Sequence, residues 1–384
     1  MNSRIKNFHS LTMNERKKII AQKLGMSLKE IDDALGCKKL NTCALDKMIE
    51  NVIGIWHLPY AVCPNFLINN KDYLVPMVGY EPSVVAAASK AAKIIREHGG
   101  FKAKADPPIM IAQVILYDVA KPNKAKKIVS ENKNQIIKQG NRALPNLIKR
   151  GGGIKNITVV DYPAGTGYLA IELEIDVCDA MGANIVNTIA EYASPTIADL
   201  TKEKILMCIL TNYAVKRKAT SEFSIPVCQL STKKISSEEF AKRIVSASRF
   251  AGLDAKRACT QNKGGFNGMD AVAMALGIDC QALEAAGHCY ATSSGYGPLC
   301  KFQVRDDILF GKIELPIAAG IVGGISQTHP GVKFSLKLLR VESAKELAMV
   351  IASAGLASTT AALGALVTEG IQRSHMKLHF RKKL

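Results

Sequence analysis

The spacing of apolar residues along the first hundred positions predicts helices interrupted by one hairpin. The predicted elements are helices within 1–52 and at 84–96, and paired strands at 61–68 and 73–78. Ser27 and Glu30 have the spacing of a capping box, and the helical pattern over 46–52 ends near Gly54. The alanine-rich run 84–96 is apolar nearly all round, which is typical of a buried helix.

The pattern changes after residue 106, where strands and helices begin to alternate. The predicted elements are strand 109–116, helix 122–139, strands 157–162 and 168–177, helix 183–200 and strand 205–210. This β-α-β-β-α-β order is typical of a split-βαβ, ferredoxin-like domain. It does not predict a Rossmann unit, because no G-x-G-x-x-G motif follows the first strand.

The chain becomes mainly helical again towards its C-terminal half, with short strands between the helices. We therefore predict an α+β fold with one domain inserted in another. The large, mainly helical domain would comprise 1–106 and 217–369, and the small ferredoxin-like domain would comprise 107–216.

Composition and charge narrow the class of ligand. Hydrophobic residues make up 48% of the 384 positions and charged residues 22%, which is typical of a globular chain. The formal net charge of +18 would suit nucleic acid, an anionic membrane surface or small anionic ligands. Basic residues are locally dense only at 121–138 and 377–383 and are otherwise scattered, which favours small anionic ligands over nucleic acid.

The cysteines and the apolar runs indicate a cytoplasmic protein. The ten cysteines form no C-x-x-C pair, a usage that favours a reducing compartment. The N-terminus lacks the pattern of a signal peptide. The longest uncharged stretch, 348–367, is rich in Ser, Thr, Gly and Ala, and we predict a buried helical region there rather than a membrane span.

The segment 261–279 carries the strongest chemical signal. Lys263 lies in a run of Gly and Asn that predicts a loop, a helix-like apolar run follows, and a carboxylate, Asp279, ends the segment. A lysine fixed in a tight loop can polarise a carbonyl or hold an oxyanion. The alternative is a surface turn before a core helix.

Two further segments each admit a functional and a structural interpretation. Glu81 precedes the helix 84–96, where it could be a dipole-favoured cap or a half-buried acid that delivers a proton. The segment 179–184 joins a strand to a helix, and its small residues at a helix N-terminus could bind phosphate. In the alternative, it is an ordinary turn with Asp179 as the N-cap.

The histidines do not indicate a metal site. His375 and His379 are four residues apart on an apparent C-terminal helix, but no third ligand accompanies them. A single histidine near a mobile end could instead act as a general acid.

Six motifs occur in one order along essentially the whole chain. They lie at 50–54, 81–89, 179–184, 262–264, 320–324 and 370–376. Together they resemble the class II 3-hydroxy-3-methylglutaryl-CoA (HMG-CoA) reductases. The resemblance implies a large domain that binds the thioester and a small domain that binds NADPH or NADH. It also implies a homodimer, or a higher oligomer built from dimers, with the active site at the subunit interface. The implied reaction is the four-electron reduction of HMG-CoA to mevalonate and CoA, or its reverse.

The resemblance also implies roles for individual residues. Lys263 would hold the developing oxyanion, and Glu81 would protonate the aldehyde oxygen. Asp279 would link Lys263 and Glu81 by hydrogen bonds and keep the acid protonated through its like charge. His375 would protonate the departing thiolate.

The remaining implied residues bind substrate and cofactor. The positions that would hold the hydroxymethylglutaryl group are Ser83, Arg257 and Asn267. The positions that would bind the cofactor are Asp179, Met181, Gly182, Asn184 and Asn212.

The chain departs from the family pattern in three places. Leu144 stands where NADH-using members carry an aspartate, and we therefore predict a preference for NADPH. Thr359 replaces an asparagine on the CoA side. The sequence ends at Leu384, soon after His375, whereas family members continue into a helical flap. Two alternatives follow: an enzyme of the same scaffold that acts on a different acyl group, or a CoA- or nucleotide-binding relic with little activity.

Overall fold

A computed structural model describes residues 1–36, 45, 48–230 and 234–372 of the chain. The α-helices are α1 (Met13–Leu24), α2 (Leu28–Leu35), α3 (Val84–Glu97), α4 (Pro122–Glu131), α5 (Lys133–Asn141), α6 (Pro145–Lys149), α7 (Ala183–Thr201), α8 (Ser237–Leu253), α9 (Ala255–Ala275), α10 (Cys280–Ala291), α11 (Pro330–Leu339) and α12 (Ala344–Leu366). The strands are β1 (Tyr60–Ile68), β2 (Lys71–Val78), β3 (Lys102–Ala105), β4 (Ile109–Tyr117), β5 (Gly153–Asp161), β6 (Leu169–Asp176), β7 (Lys204–Leu210), β8 (Lys218–Pro226), β9 (Cys300–Arg305) and β10 (Ile308–Pro316).

The N-terminal helices begin as their sequence predicts. The Ser27 side chain accepts a hydrogen bond from the Glu30 backbone, and the Glu30 carboxylate accepts one from the Ser27 backbone at 2.8 Å. This reciprocal pair satisfies two otherwise free N–H groups at the start of α2. The predicted capping box is confirmed.

The helix predicted over 46–52 is wrong for its described part. Residues 48–52 form turns and bends, and Asn51 has a left-handed backbone with φ 60°. The apolar side chain of Ile49 in this segment is exposed, and those of Ile53 and Trp56 just beyond it are almost fully exposed. The pattern therefore marks an uncovered apolar segment rather than a helix face.

The predicted hairpin is confirmed. Strands β1 and β2 pair antiparallel, with Ile68 opposite Lys71 at the turn. Asn69 and Asn70 both have positive φ, as the tight turns that match the twist of paired strands require. Helix α3 packs against β1 and carries Ala88, Ala92 and other buried side chains into the core.

The middle of the chain forms a four-stranded antiparallel sheet in the order β5-β6-β4-β7. Helices α4, α5 and α7 pack against this sheet, and the buried side chains of 110–214 form a hydrophobic cluster. The sheet and its helices have the order of a ferredoxin-like unit. The helix predicted over 122–139 is divided at Asn132, whose backbone leaves the helical region. The predicted α+β fold with this unit inserted is confirmed.

A second antiparallel sheet, β3-β8-β10-β9, lies against α12. Of the helices in the described ranges, α12 alone is long and apolar enough to cross a membrane by length and composition, and most of its apolar window is buried inside the protein. The prediction of a buried helix in this region is confirmed. Helix α12 packs most closely against α9, which carries the candidate chemistry.

Candidate active site

Lys263 lies in the middle of α9, so the predicted Gly/Asn-rich loop is wrong. Two nearby glycines, Gly265 and Gly268, form a contact surface for α12 rather than a turn. A Cβ atom on Gly265 would lie 3.0 Å from the Thr359 hydroxyl, and one on Gly268 would lie 2.1 Å from the Ser358 hydroxyl. Glycine lets the two helices approach closely, and this approach outweighs its poor helix propensity.

The ammonium group of Lys263 and the carboxylate of Glu81 form an ion pair. Lys263 Nζ donates to Glu81 Oε2 at 2.9 Å, and Asn267 Nδ2 donates to Glu81 Oε1 at 3.4 Å. Lys263 and Asn267 are four residues apart on α9 and therefore project from one face. The Glu81 side chain is 44% exposed and that of Lys263 61%, so both groups are open to a ligand.

Glu81 lines a cavity of about 900 Å³. Ser83, at the N-terminus of α3, also lines it and has a left-handed backbone with φ 77°. In the described part of the chain, three of the four buried side-chain polar atoms without a hydrogen-bond partner line this cavity, namely Ser83 Oγ, Gln261 Oε1 and Ser358 Oγ. Buried oxygens of this kind need a partner, so the cavity is suited to a polar ligand.

Arg257 supplies positive charge to the same cavity from the first turn of α9. Partial burial lowers the pKa of its guanidinium. Among the described residues no carboxylate forms a salt bridge with Arg257. A guanidinium without a protein partner at a polar cavity is suited to bidentate contact with a ligand carboxylate.

Asp279 lies away from Lys263 and Glu81 in the same chain. Its Oδ1 accepts a hydrogen bond from the Ala282 backbone at 2.9 Å and caps α10. Helix α9 continues from Lys263 to Ala275, a rise of about 18 Å. Within one chain, Asp279 therefore makes no hydrogen bond to Lys263 or Glu81, and its link to them stays a prediction.

Asp270 is an acidic residue on α9 that the sequence did not identify as functional. Burial, followed by a hydrogen bond and like charge from Glu284, raises the pKa of Asp270 to about 8, while Lys263 opposes the shift. Its Oδ1 is buried and has no hydrogen-bond partner among the described residues. Helical spacing from Lys263 and Asn267 would have identified Asp270 had the segment been recognised as a helix.

The segment 179–184 joins β6 to α7, as predicted. Gly182, not Asp179, is the N-cap of α7, and no side chain caps the helix. Gly182 has φ 107°, and a Cβ there would lie 2.8 Å from a Val177 methyl group, so only glycine fits. The interpretation of Asp179 as the cap is wrong, since its Oδ1 accepts a hydrogen bond from the Ala344 backbone at the start of α12.

The other predicted cofactor positions lie in this loop, in α7 and after β7. Met181 presents its backbone carbonyl to Arg217, and Asn184 lies in the first turn of α7. Asn212 follows β7 and accepts a hydrogen bond from the Ala214 backbone. His375 lies outside the described residues.

Thr359 and Leu144, two of the three departures from the family pattern, differ in their surroundings. Thr359 is buried, and its hydroxyl donates to the Gly355 carbonyl and accepts from the Cys300 thiol. Leu144 is the N-cap of the short helix α6.

Within the described ranges, no group of three or more His, Cys, Asp or Glu side chains could hold a metal ion.

These features define a class of protein: an α+β enzyme with a lysine–carboxylate pair beside a polar cavity and an uncapped helix N-terminus suited to an anionic cofactor. The hydroxymethylglutaryl-coenzyme A reductase family matches residues 12–380 of the chain. A 3-hydroxy-3-methylglutaryl-coenzyme A reductase of Archaeoglobus fulgidus is 44% identical over 99% of this chain and 86% of its own length. A probable reductase of the same name from Borreliella burgdorferi is 33% identical over 99% of this chain and 86% of its own.

Solved structures of similar proteins indicate the same family as the sequence matches. The class II reductase of Streptococcus pneumoniae, bound to NADPH in open conformations, has a TM-score of 0.90 and 38% identity, covering 94% of this chain and 99% of its own. Another structure of the enzyme from that organism has a TM-score of 0.91 and covers 97% and 90%. The chain belongs to the hydroxymethylglutaryl-coenzyme A reductase family. The predicted resemblance and the predicted oxidoreductase activity are confirmed.

Proposed function

We propose that the chain reduces HMG-CoA to mevalonate and CoA in two hydride transfers, with Lys263 and Glu81 as the central catalytic pair. The observation that carries this proposal is the 2.9 Å contact between these two side chains, both of which line the cavity. An ammonium group fixed on a helix can stabilise the oxyanion that forms when hydride attacks the thioester carbon.

The two hydride transfers require different proton deliveries. Collapse of the first oxyanion breaks the C–S bond and releases CoA thiolate, which needs a proton. The second hydride attacks the aldehyde, and Glu81 would deliver a proton to its oxygen. We assign protonation of the thiolate to His375, on the basis of the family resemblance.

Arg257, Ser83 and Asn267 would hold the hydroxymethylglutaryl group. The Arg257 guanidinium, which has no salt-bridge partner among the described residues, would bind the free carboxylate of the substrate. The unpartnered Ser83 hydroxyl lines the same cavity, and Asn267 already contacts Glu81. An enzyme for an acyl group without a free carboxylate would not require this guanidinium.

The cofactor would lie at the start of α7, on Asp179, Met181, Gly182, Asn184 and Asn212. The uncapped N-terminus of this helix offers free N–H groups and the positive end of its dipole to a pyrophosphate. The Streptococcus pneumoniae relative was solved with NADPH, and we propose the same cofactor here.

NADPH preference would follow from the surroundings of Leu144. No carboxylate occupies that position, so nothing there repels a 2′-phosphate. The adjoining hollow of about 460 Å³ is lined by Lys138 and Arg142, among others, and could receive that phosphate.

We further propose a homodimer in which a second copy supplies Asp279. Asp279 caps α10 and does not reach Lys263 in its own chain, so a single chain would lack this member of the set. The exposed Ile53 and Trp56 offer an apolar segment that a second copy could cover.

The domain division and the compartment are also proposals. The separate hydrophobic cluster of 110–214 supports a small domain at 107–216 inserted in a large domain of 1–106 and 217–369, with 370–384 as the start of a flap. The eight cysteines among the described residues are free thiols, which supports a cytoplasmic location.

Cofactor consumption tests the proposal. Purified chain would be mixed with HMG-CoA and NADPH, the fall in NADPH absorbance followed, and released CoA measured by a thiol reagent. We expect two NADPH oxidised for each CoA released. Ligand binding without turnover would support the relic, and turnover only with another acyl-CoA would support a different substrate.

A further inference from the structure

Arg217 is a buried cation that holds the proposed cofactor loop. It lies directly before β8, is 4% exposed, and its guanidinium makes four hydrogen bonds to three backbone carbonyls. Nη1 donates to the Ala180 carbonyl at 3.1 Å and to that of Met181 at 2.9 Å. Nη2 donates to Ala180 at 3.1 Å and to the Ala319 carbonyl at a shorter distance.

The environment of Arg217 is unusual for an arginine at such depth. Among the described residues it forms no salt bridge. Burial lowers the pKa of its guanidinium to about 10, and the more distant Asp176 and Asp179 oppose that shift. The group therefore stays charged at neutral pH, with carbonyl oxygens as its direct partners. A buried charge of this kind is retained only where its hydrogen bonds are satisfied.

The three carbonyls belong to two different segments. Ala180 and Met181 lie in the loop before α7, whereas Ala319 lies just before the glycine turn 320–324. The glycine turn packs against that loop so closely that a Cβ on Gly320 would lie 2.3 Å from Met181 N. The Ile321 backbone also donates to the Asp179 carbonyl at 2.9 Å. The loop is thus held by Arg217 together with the glycine turn.

Holding the carbonyls also orients the peptide planes of the loop. The N–H and C=O of a trans peptide point in opposite directions, so fixing the Met181 carbonyl turns the Gly182 N–H away from the guanidinium. Gly182 in turn starts α7, whose first N–H groups lack a side-chain cap.

We propose that Arg217 is a positioning residue for the reduced cofactor: it fixes the backbone of 180–182 so that the N-terminus of α7 can bind the cofactor pyrophosphate. This inference rests on the proposed function, which places the cofactor at this loop. Arg217 would act without touching the acyl substrate, because its four hydrogen bonds all go to backbone carbonyls.

Two substitutions at this position separate the effect of charge from that of geometry. Arg217→Met keeps an unbranched side chain without donors, and Arg217→Lys keeps the charge but donates from a single nitrogen. We expect KM for NADPH to rise about tenfold or more in Arg217→Met and less in Arg217→Lys, as loss of hydrogen bonds from a charged donor predicts. KM for HMG-CoA should stay within about twofold of wild type.

A matched control separates positioning from loss of stability. Arg96, also largely buried, binds Asp72 and Ser3 near the hairpin. Arg96→Met should lower Tm and leave KM for NADPH unchanged. Should Arg217→Met fail to fold, Gly320→Ala disturbs the same loop from its other side and should raise KM for NADPH. Equal changes in both KM values for the Arg217 variants and Gly320→Ala would contradict the inference.

Asn184→Ala distinguishes failure of this inference from failure of the proposed cofactor site. If Asn184→Ala raises KM for NADPH while neither Arg217 variant does, the role of Arg217 is contradicted and the cofactor site stands. If none of the three variants affects KM for NADPH, the cofactor does not bind at this loop, and both proposals fall.

Discussion

The proposed acyl side and the proposed cofactor side of this site are built in different ways. On the acyl side, side chains on the rigid helix α9 contact Glu81 directly, and the Lys263–Glu81 distance is 2.9 Å. On the cofactor side, the loop before α7 offers mainly backbone, which Arg217 and the glycine turn hold from outside. Substitution of the reacting side chains should therefore abolish chemistry on the first side. On the second side, substitution of residues that hold the loop should raise KM for the cofactor as much as substitution of residues within it.

The largest effect is expected for Lys263→Ala. Removing a single oxyanion donor typically raises the barrier by about 2.7–4 kcal/mol, so kcat should fall by about 100- to 1,000-fold in both half-reactions. Lys256→Ala, an exposed lysine on the same helix, is the matched control and should keep its activity. Rates with HMG-CoA and with mevaldehyde measure the two half-reactions. Near-normal turnover in Lys263→Ala would show that another group holds the oxyanion.

The next largest effect is expected on stability, through the packing of α12 against α9, the helix that carries Lys263. Gly268→Ala would place a methyl group 2.1 Å from Ser358 Oγ and 2.8 Å from the Ala354 carbonyl, so α9 and α12 must move apart. Overpacking of this kind costs about 1–3 kcal/mol, which urea unfolding can measure. The control, Gly252→Ala in α8, meets no atom within 4 Å and should be neutral or stabilising. Equal stability of the two variants would mean that the helix contact tolerates a side chain.

Asp270 should make stability depend on pH. Its folded-state pKa is raised from the ordinary 3.8 to about 8, so between these values the folded protein binds a proton that the unfolded chain has lost. Stability from this group is therefore present at low pH and declines as pH rises towards 8. Asp270→Asn should remove this decline, and Tm of the two proteins at pH 5 and pH 8.5 measures it. Parallel Tm profiles would contradict the assignment.

The smallest effect is expected at Leu144. Leu144→Asp would introduce a carboxylate near the basic hollow of Lys138 and Arg142. Like charge should then penalise NADPH, which carries a 2′-phosphate, more than NADH. The ratio of kcat/KM for the two cofactors reports the change. An unchanged ratio would mean that the cofactor ribose lies elsewhere.

Local patterns predicted the parts of the fold that local physics determines. Extended apolar runs identified the hairpin and the four strands of the ferredoxin-like unit, and β1, β4 and β6 alternate buried and less buried positions over part of their length. The capping box at Ser27 and Glu30 was equally visible, since its two partners are three residues apart. One helix was predicted over 122–139, and the structure has two helices there that meet at Asn132.

Long-range contacts account for what the sequence did not predict. Glycines near Lys263 resembled turn residues, whereas their role is to admit α12, almost a hundred positions away. The segment 46–52 has helical spacing, but apolar side chains in its described part, such as Ile49, are exposed. Arg217 gave no local signal, because the carbonyls that it binds come from distant segments.

In the proposed active site, one chain carries the Lys263–Glu81 pair and a second copy supplies Asp279. Lys263→Ala and Asp279→Ala homodimers should each be nearly inactive. If the two residues act together across a subunit interface, each mixed dimer has one site with both residues intact, and an equal, randomly exchanged mixture should regain about one quarter of wild-type activity. Mixing the two inactive variants after subunit exchange and measuring NADPH oxidation decides the matter. No recovery, with exchange verified, would mean that Lys263 and Asp279 act within one chain or that Asp279 is not part of the site.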